Sequence, residues 1–309
     1  MVDTKLLTFV KLYETKSFTK TAEQLYITQP SVTNHIKSLE KNHNIKLFVS
    51  NDKNLELTEQ GKILYDYAMQ LIAFEEGFER LLEASKIGSP RVAFAVTPGA
   101  MNGFMKDLLP EWTKRNPQID FRLEELDYAE IEKAIIEGKF DFAVIDNNTT
   151  KRSLTTTALH KTRLILAVGK SHHLALKKKL CFKDLKNEKF FIGTKKSGKR
   201  LFFENELHFR NCDIKEITHL NELNDPNIIT QIVINGSGIS VFYESEIDSE
   251  IKNGKLIPIE LIEIKNPIEF KILHNKNHIA LNTINKIAND FTTIYKEISY
   301  LKYSSNFLK

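Results

Sequence analysis

At 309 residues, with 41% apolar and 10% aromatic side chains, the chain is long enough for about two domains with real cores and too apolar for disorder. A net charge of +4 is compatible with nucleic acid without requiring it. No run approaches the roughly 20 apolar residues of a membrane span, the first residues lack the pattern of a signal peptide, and Cys181 and Cys212 share no zinc spacing; membrane, secreted and structural-zinc classes are set aside and a cytoplasmic location is expected.

Leu6, Phe9, Val10 and Tyr13 fall at i, i+3, i+4 and i+7, the apolar stripe of a first amphipathic helix. Ser17 can cap a second helix, with Phe18, Ala22 and Leu25 on its buried side and Thr19 in its first turn. Tyr26-Ile27-Thr28 makes a tight turn, Thr28 can cap a third helix, and Pro30 suits that helix's first turn because its missing N–H has no intrahelical acceptor there. Val32, Ile36 and Leu39 must then face inward, leaving Gln29, Ser31, Thr33, Asn34 and Lys37 outside. Amide and hydroxyl groups on such a face can pair with base edges in a major groove, while Lys37 meets phosphate. The pattern predicts a helix-turn-helix reading double-stranded DNA.

Leu47-Phe48 opens a hairpin-like wing, and from Thr58 the pattern becomes one long helix. Leu64, Tyr67, Leu71, Phe74, Phe78 and Leu81 follow a 3-4-3-4-3 spacing, the seam of a helix that pairs with a second copy. A homodimer is expected, and its two reading helices imply an inverted-repeat operator. Gly88-Ser89-Pro90 ends the helix. Beyond it, a strand over 91–96, a helix over 103–115, a strand over 119–125, a helix over 129–137 and a strand over 140–145 alternate, predicting a mainly parallel sheet covered by helices.

The residues Ser17-Phe18-Thr19, Ala22, Leu25, Gln29-Pro30-Ser31-Val32-Thr33, Ile36, Leu39-Glu40, Leu47-Phe48 and Leu57-Thr58-Glu59-Gln60-Gly61 resemble the N-terminal pattern of the LysR-type transcriptional regulators. The resemblance continues through Leu109-Pro110, Asn116-Pro117, Glu137-Gly138-Lys139-Phe140-Asp141, His172-His173-Leu174-Ala175, Asp184-Leu185 and Gly236-Ser237-Gly238-Ile239. It implies an α/β chain with a winged helix-turn-helix over 1–58, a linker helix and hinge over 59–89, and a two-lobed effector domain over 90–309 like a periplasmic binding protein. Lobe I would comprise about 90–163 and 268–309, lobe II about 164–267, with the C-terminal helix from about 280 to 300 on lobe I. It also implies a dimer or tetramer that senses a small-molecule effector and, in an activator, engages RNA polymerase.

Two departures from the family pattern stand out. The wing reads Val49-Ser50-Asn51-Asp52-Lys53-Asn54 where the family usually carries Arg, leaving Lys53 and Asn54 as phosphate donors. Tyr243 stands where the family usually has Pro, after the Gly-x-Gly-Ile strand.

Ligands of open α/β sheets bind beyond the carboxyl ends of strands, where helix N-termini offer free N–H groups. Two segments fit: Thr97, Gly99, Ala100, Met101 and Asn102 after the first strand, and Gly193 to Arg200, with Thr194, Lys196 and Ser197, after a strand over 189–192. The Lys and Arg residues of the second segment suggest a small anion such as a carboxylate; the alternative is a solvated charged loop. Asn147 and Asn224 are rim candidates, and Asp225 reads as a helix cap.

No catalytic constellation, cofactor motif or metal site is expected; His274 and His278 have H-x-x-x-H spacing but sit in a strand end and loop. Alternatives to the regulator are a solute-binding protein of a transport system, an enzyme on the same scaffold, or a thiol redox-sensing regulator using Cys181 or Cys212.

Overall fold

Three short helices form where the caps place them: α1 (Thr4–Thr15), α2 (Phe18–Gln24) and α3 (Gln29–His43). The Asp3 side chain accepts the Lys5 N–H, Ser17 caps α2, and the Thr28 hydroxyl accepts the Ser31 N–H at 3.3 Å. Residues 2–51, 54–87 and 91–304 are described in this computed structural model, so the Gly88-Ser89-Pro90 break and Lys53 lie outside the described residues.

Leu6, Phe9, Val10 and Leu12 of α1 pack with Ile36 and Leu39 of α3 and with Leu47. Each such side chain contributes about 1.5–3 kcal/mol by leaving water. Tyr13 and Leu25 are only half-buried, whereas Leu12, Thr8 and Thr21 are buried, outside the expected stripes. The two threonines are tolerated because their hydroxyls are satisfied, Thr8 by the Thr4 carbonyl and His35 Nδ1, Thr21 by the Ser17 carbonyl and Thr15.

The wing is an antiparallel hairpin of β1 (Phe48–Asn51) and β2 (Asn54–Leu57), followed by the 29-residue α4 (Glu59–Ile87). Thr58 caps α4 by accepting the Gly61 N–H at 2.9 Å. Gly61 is fixed by contact, since a Cβ there would lie 2.3 Å from the Leu47 carbonyl oxygen.

The C-terminal body contains two sheets. The first holds β3 (Arg91–Val96), β4 (Asp120–Glu125), β5 (Phe142–Ile145), β6 (Leu154–Thr162) and β13 (Ile268–Asn275), in the order β4-β3-β5-β13-β6. The second holds β7 (Leu164–Gly169), β8 (Lys179–Leu180), β9 (Lys189–Ile192), β10 (His219–Glu222), β11 (Ile239–Tyr243) and β12 (Leu256–Leu261), in the order β10-β9-β11-β7-β12-β8. The chain crosses between sheets at Arg163 and returns between Leu261 and Ile268.

Both sheets are mixed rather than mainly parallel. The strands of residues 91–145, β3, β4 and β5, do pair in parallel, and the antiparallel pairs are β13 with β5 and β6 and β7 with β11 and β12, because a chain that leaves a sheet and returns runs back along its neighbours. The covering helices are α5 (Pro98–Ala100), α6 (Lys106–Arg115), α7 (Tyr128–Ile136), α8 (Gly198–His208), α9 (Pro226–Ile234), α10 (Asp248–Lys252) and α11 (Leu281–Ser304). Phe291 of α11 packs edge-on to Trp112 of α6 at 5.5 Å and against Phe94 of β3, seating the last helix on the first sheet.

One expected element moves. Helix does not begin at Gly103 but at Pro98, with Thr97 as its cap and a π turn (Met101–Met105) joining α5 to α6. Proline at the first helical position and the Thr97 hydroxyl, which accepts the Ala100 N–H, start the helix five residues early.

Candidate DNA interface and effector cleft

Along α3 the outer side chains divide by what already engages them. The Ser31 hydroxyl is tied to Thr28 at 2.8 Å and Thr33 donates to the Gln29 carbonyl at 3.2 Å, so both, half-buried, are partly satisfied at home. The side chains of Gln29, Asn34 and Lys37 are exposed and make no hydrogen bond or ion pair within the described residues. They can meet base edges and phosphate without breaking an internal contact. Pro30 is exposed in the first turn and Thr19 is exposed on α2, while Ser17 and Thr28 serve as caps.

Tyr26, assigned by sequence to the turn alone, stands 96% exposed with a left-handed φ of 55° beside the start of α3. In the wing, Asn54 pairs with Asn51 through the backbone and its side chain is not among those described.

The six α4 positions expected to form a seam differ in exposure. Tyr67, Phe74, Phe78 and Leu81 are 42–54% exposed, and Ile63 and Leu82 extend the exposed strip. Leu64 and Leu71 are half-buried against the helix-turn-helix core, beside the buried Ala68 and Met69.

Between the two sheets of the C-terminal body lies a cleft of about 670 Å³. Gly99, Thr194, Lys196, Ser197 and Asn224 line it as expected from the sequence. Thr97, Ala100, Met101 and Asn147 do not. Thr97 and Ala100 are buried and joined to each other as cap and amide, and Met101 packs against the core, a consequence of the helix starting at Pro98. The Asn147 Oδ1 is buried without a hydrogen-bond partner.

Three of the four cations of the second segment are paired within the protein. Lys199 Nζ lies 2.7 Å from Glu246 Oε2 in a fully buried pair, Arg200 binds Glu204 at 2.7 Å and Glu222 at 2.8 Å, and Lys196 reaches Asp127 at 3.3 Å. Glu246 Oε2 also accepts the Tyr243 N–H, and Lys106 donates to the Glu246 carbonyl.

Two residues that sequence reading passed over meet beside Gly99. Asp146, just past β5, accepts the Thr97 hydroxyl at 2.9 Å and the Tyr243 hydroxyl at 2.5 Å. Burial pushes the Asp146 carboxyl above the usual range, against those hydrogen bonds, and burial and Asp146 raise Tyr243 well above a free phenol. Tyr243 was flagged only as a departure from the family pattern; that departure supplies the hydroxyl that holds Asp146.

Other chemistry-bearing groups are occupied. His274 sits in β13 with Nδ1 on the Asn275 carbonyl, and His278 Nδ1 accepts the Ala280 N–H. His172, His173 and Glu188 gather within 4.8 Å, but His172 Nδ1 accepts the Leu174 N–H and caps a turn. Burial, then Glu263 and Glu216, push the Cys212 thiol up, the reverse of what a sensing thiolate needs.

Two family models match the chain: "Bacterial regulatory helix-turn-helix protein, lysR family" over residues 4–62, and "LysR substrate binding domain" over residues 87–286. This chain belongs to the LysR family. It is 31% identical to the "Probable RuBisCO transcriptional regulator" of Phaeodactylum tricornutum over 81% of this chain and 82% of that protein, and 27% identical to CysL of Bacillus subtilis over 98% of both. Solved structures of a Corynebacterium glutamicum OxyR mutant (TM-score 0.62, 17% identity, 98% of this chain and 95% of that one) and of full-length BenM (TM-score 0.58, 21% identity, 96% and 97%) share the fold. The LysR-type chain is a DNA-binding transcriptional regulator with a C-terminal effector-binding domain.

Proposed function

We propose that residues 1–58 read an inverted-repeat operator, that the helix over 59–89 joins two copies, and that residues 90–309 form the sensor. Gln29, Asn34 and Lys37 carry the recognition, with Ser31, Thr33, Ser17, Thr19, Thr28, Pro30, Lys53 and Asn54 supporting it. The observation behind this reading is that these three α3 side chains are exposed and uncommitted on a helix whose caps and core are otherwise fully used.

Leu64, Tyr67, Leu71, Phe74, Phe78 and Leu81 form the dimer seam, with the exposed Tyr67, Phe74, Phe78 and Leu81 an apolar strip that burial against its own copy would stabilise. A tetramer would need a second interface in the sensor. The effector occupies the interlobe cleft against Gly99, Thr194, Lys196, Ser197 and Asn224, and it acts by population shift, moving the equilibrium only by its difference in affinity for two lobe arrangements. The protein works by binding rather than catalysis, in the cytoplasm where its DNA lies, and as an activator it would engage RNA polymerase.

An electrophoretic shift of the full chain on its own upstream DNA tests this. A retarded complex that Q29A/N34A abolishes is expected; retention of sequence preference in that variant would remove α3 as the reading helix.

A further inference from the structure

The charge around the interlobe cleft runs opposite to what the sequence of the 193–200 loop suggests. Five carboxylates line the cleft, Glu125, Asp127, Glu130, Glu222 and Glu246, against three ammonium groups, Lys195, Lys196 and Lys199. Two of those lysines are spent on internal pairs, leaving Lys195, whereas Glu125 and Glu130 have no partner among the described residues. Burial, and then Asp225, push the Glu125 carboxyl up, so a cation beside it would relieve a carboxylate with no counter-charge.

Asp146 adds a second, independent constraint. Its carboxylate is clasped from both sides: a Cβ built on Gly99 would stand 2.1 Å from Oδ2 and one built on Gly198 2.7 Å from Oδ1. Gly99 follows β3 of the first lobe and Gly198 opens α8 of the second. One oxygen takes the Thr97 hydroxyl and the other the Tyr243 hydroxyl. An acidic effector would find both of these hydroxyl donors already taken.

We propose that the Asp146 carboxyl, set behind Gly99 of the cleft wall, already takes the hydroxyl donors an acidic effector would use, and that the effector filling the cleft carries a positive charge, an amine or guanidine set against Glu125 and Glu130. A volume of about 670 Å³ holds a small metabolite of this kind. The inference rests on the reading of residues 90–309 as an effector domain.

Thermal unfolding of the full chain at matched ionic strength tests it, with agmatine, putrescine and L-arginine as cationic probes and acetate, 2-oxoglutarate and inorganic phosphate as acidic ones. At least one cationic probe should raise the midpoint of the wild-type protein by about 5 °C at saturation, and E125Q/E130Q should lose that response. The acidic probes should leave the wild type unchanged, while D146A, which vacates the clasp, should gain a dose-dependent response to acetate.

Stabilisation of the wild type by an acidic probe to the same extent as D146A would overturn the charge assignment and leave the effector reading standing. An amine response that survives unchanged in E125Q/E130Q would also overturn it. Silence of the wild type toward both classes, with operator binding intact, would overturn the charge assignment and the effector reading together. The amine arm needs no change at Asp146, so it decides the matter even if D146A does not fold.

Discussion

Lys199 and Glu246 are the residues whose loss the molecule should feel most. Their 2.7 Å pair is buried on both sides, so removing one charge strands the other in a low-dielectric site. K199M should cost about 3–5 kcal/mol in urea unfolding, and the double change K199M/E246L should restore most of it; equal loss in single and double variants would show that the pair is not the source. At the DNA-reading face the split is between choosing and holding. Lys37→Ala should reduce the salt dependence of operator affinity by about one unit of log K per log salt while leaving sequence preference intact. Asn34→Ala should instead cost about 1–3 kcal/mol of discrimination against mismatched duplexes, with the salt slope unchanged. The exposure of these α3 side chains was legible from sequence because an amphipathic helix declares both of its faces. Asp146 was not, since an acid after a buried strand looks like any surface residue until the fold brings Thr97 and Tyr243 to it.

At the scale of elements, the periodic ones were readable and the aperiodic ones were not. Helices α1 to α4 carry caps and a 3.6-residue stripe, and their positions follow from those signals. The early start of helix at Pro98 was missed because Thr97-Pro98-Gly99 also reads as a turn, and only tertiary burial of Ala100 and Phe104 favours the helix. The sheet crossing at Arg163 has no local sequence cue at all. It is fixed by pairing between strands distant in sequence, and the resemblance to a known family, not periodicity, anticipated it. On α4 the spacing alone places Leu64 and Leu71 in the seam, while both also pack against their own domain core. The expected consequence is a graded response to substitution. Phe74→Glu and Phe78→Glu should shift the protein from dimer to monomer in sedimentation, with helix content and core stability kept. Leu71→Glu should lower the unfolding midpoint as well, because it places a charge against the helix-turn-helix core.

For the molecule as a whole, stability against pH is set by groups whose affinity for protons changes on folding. Burial lowers His160 from the ordinary 6.5 to about 4, with its ring packed 4.4 Å from Tyr295, and burial lowers His172 and His274 in the same direction. The unfolded chain therefore takes up these protons first as the pH falls, so their contribution is complete above about 6.5 and is lost below it, progressively down to about 4 for His160. Carboxylates held low by partners, such as Asp184 and Glu297, act in the same sense but only below their ordinary values of 3.8 and 4.5. Asp146 and Glu125 oppose the trend, because carboxyls raised by burial favour the folded state when protonated and cost stability as the pH climbs through their raised range. The wild-type slope is a difference between the two sets, and a variant isolates one side of it. His160→Gln removes one proton site from the histidine set, so the unfolding midpoint of the variant should vary less with pH between 4.5 and 6.5 than that of the wild type. Differential scanning calorimetry across that window would check it, and parallel curves for the two proteins would mean that the His160 ring is not held neutral by the fold.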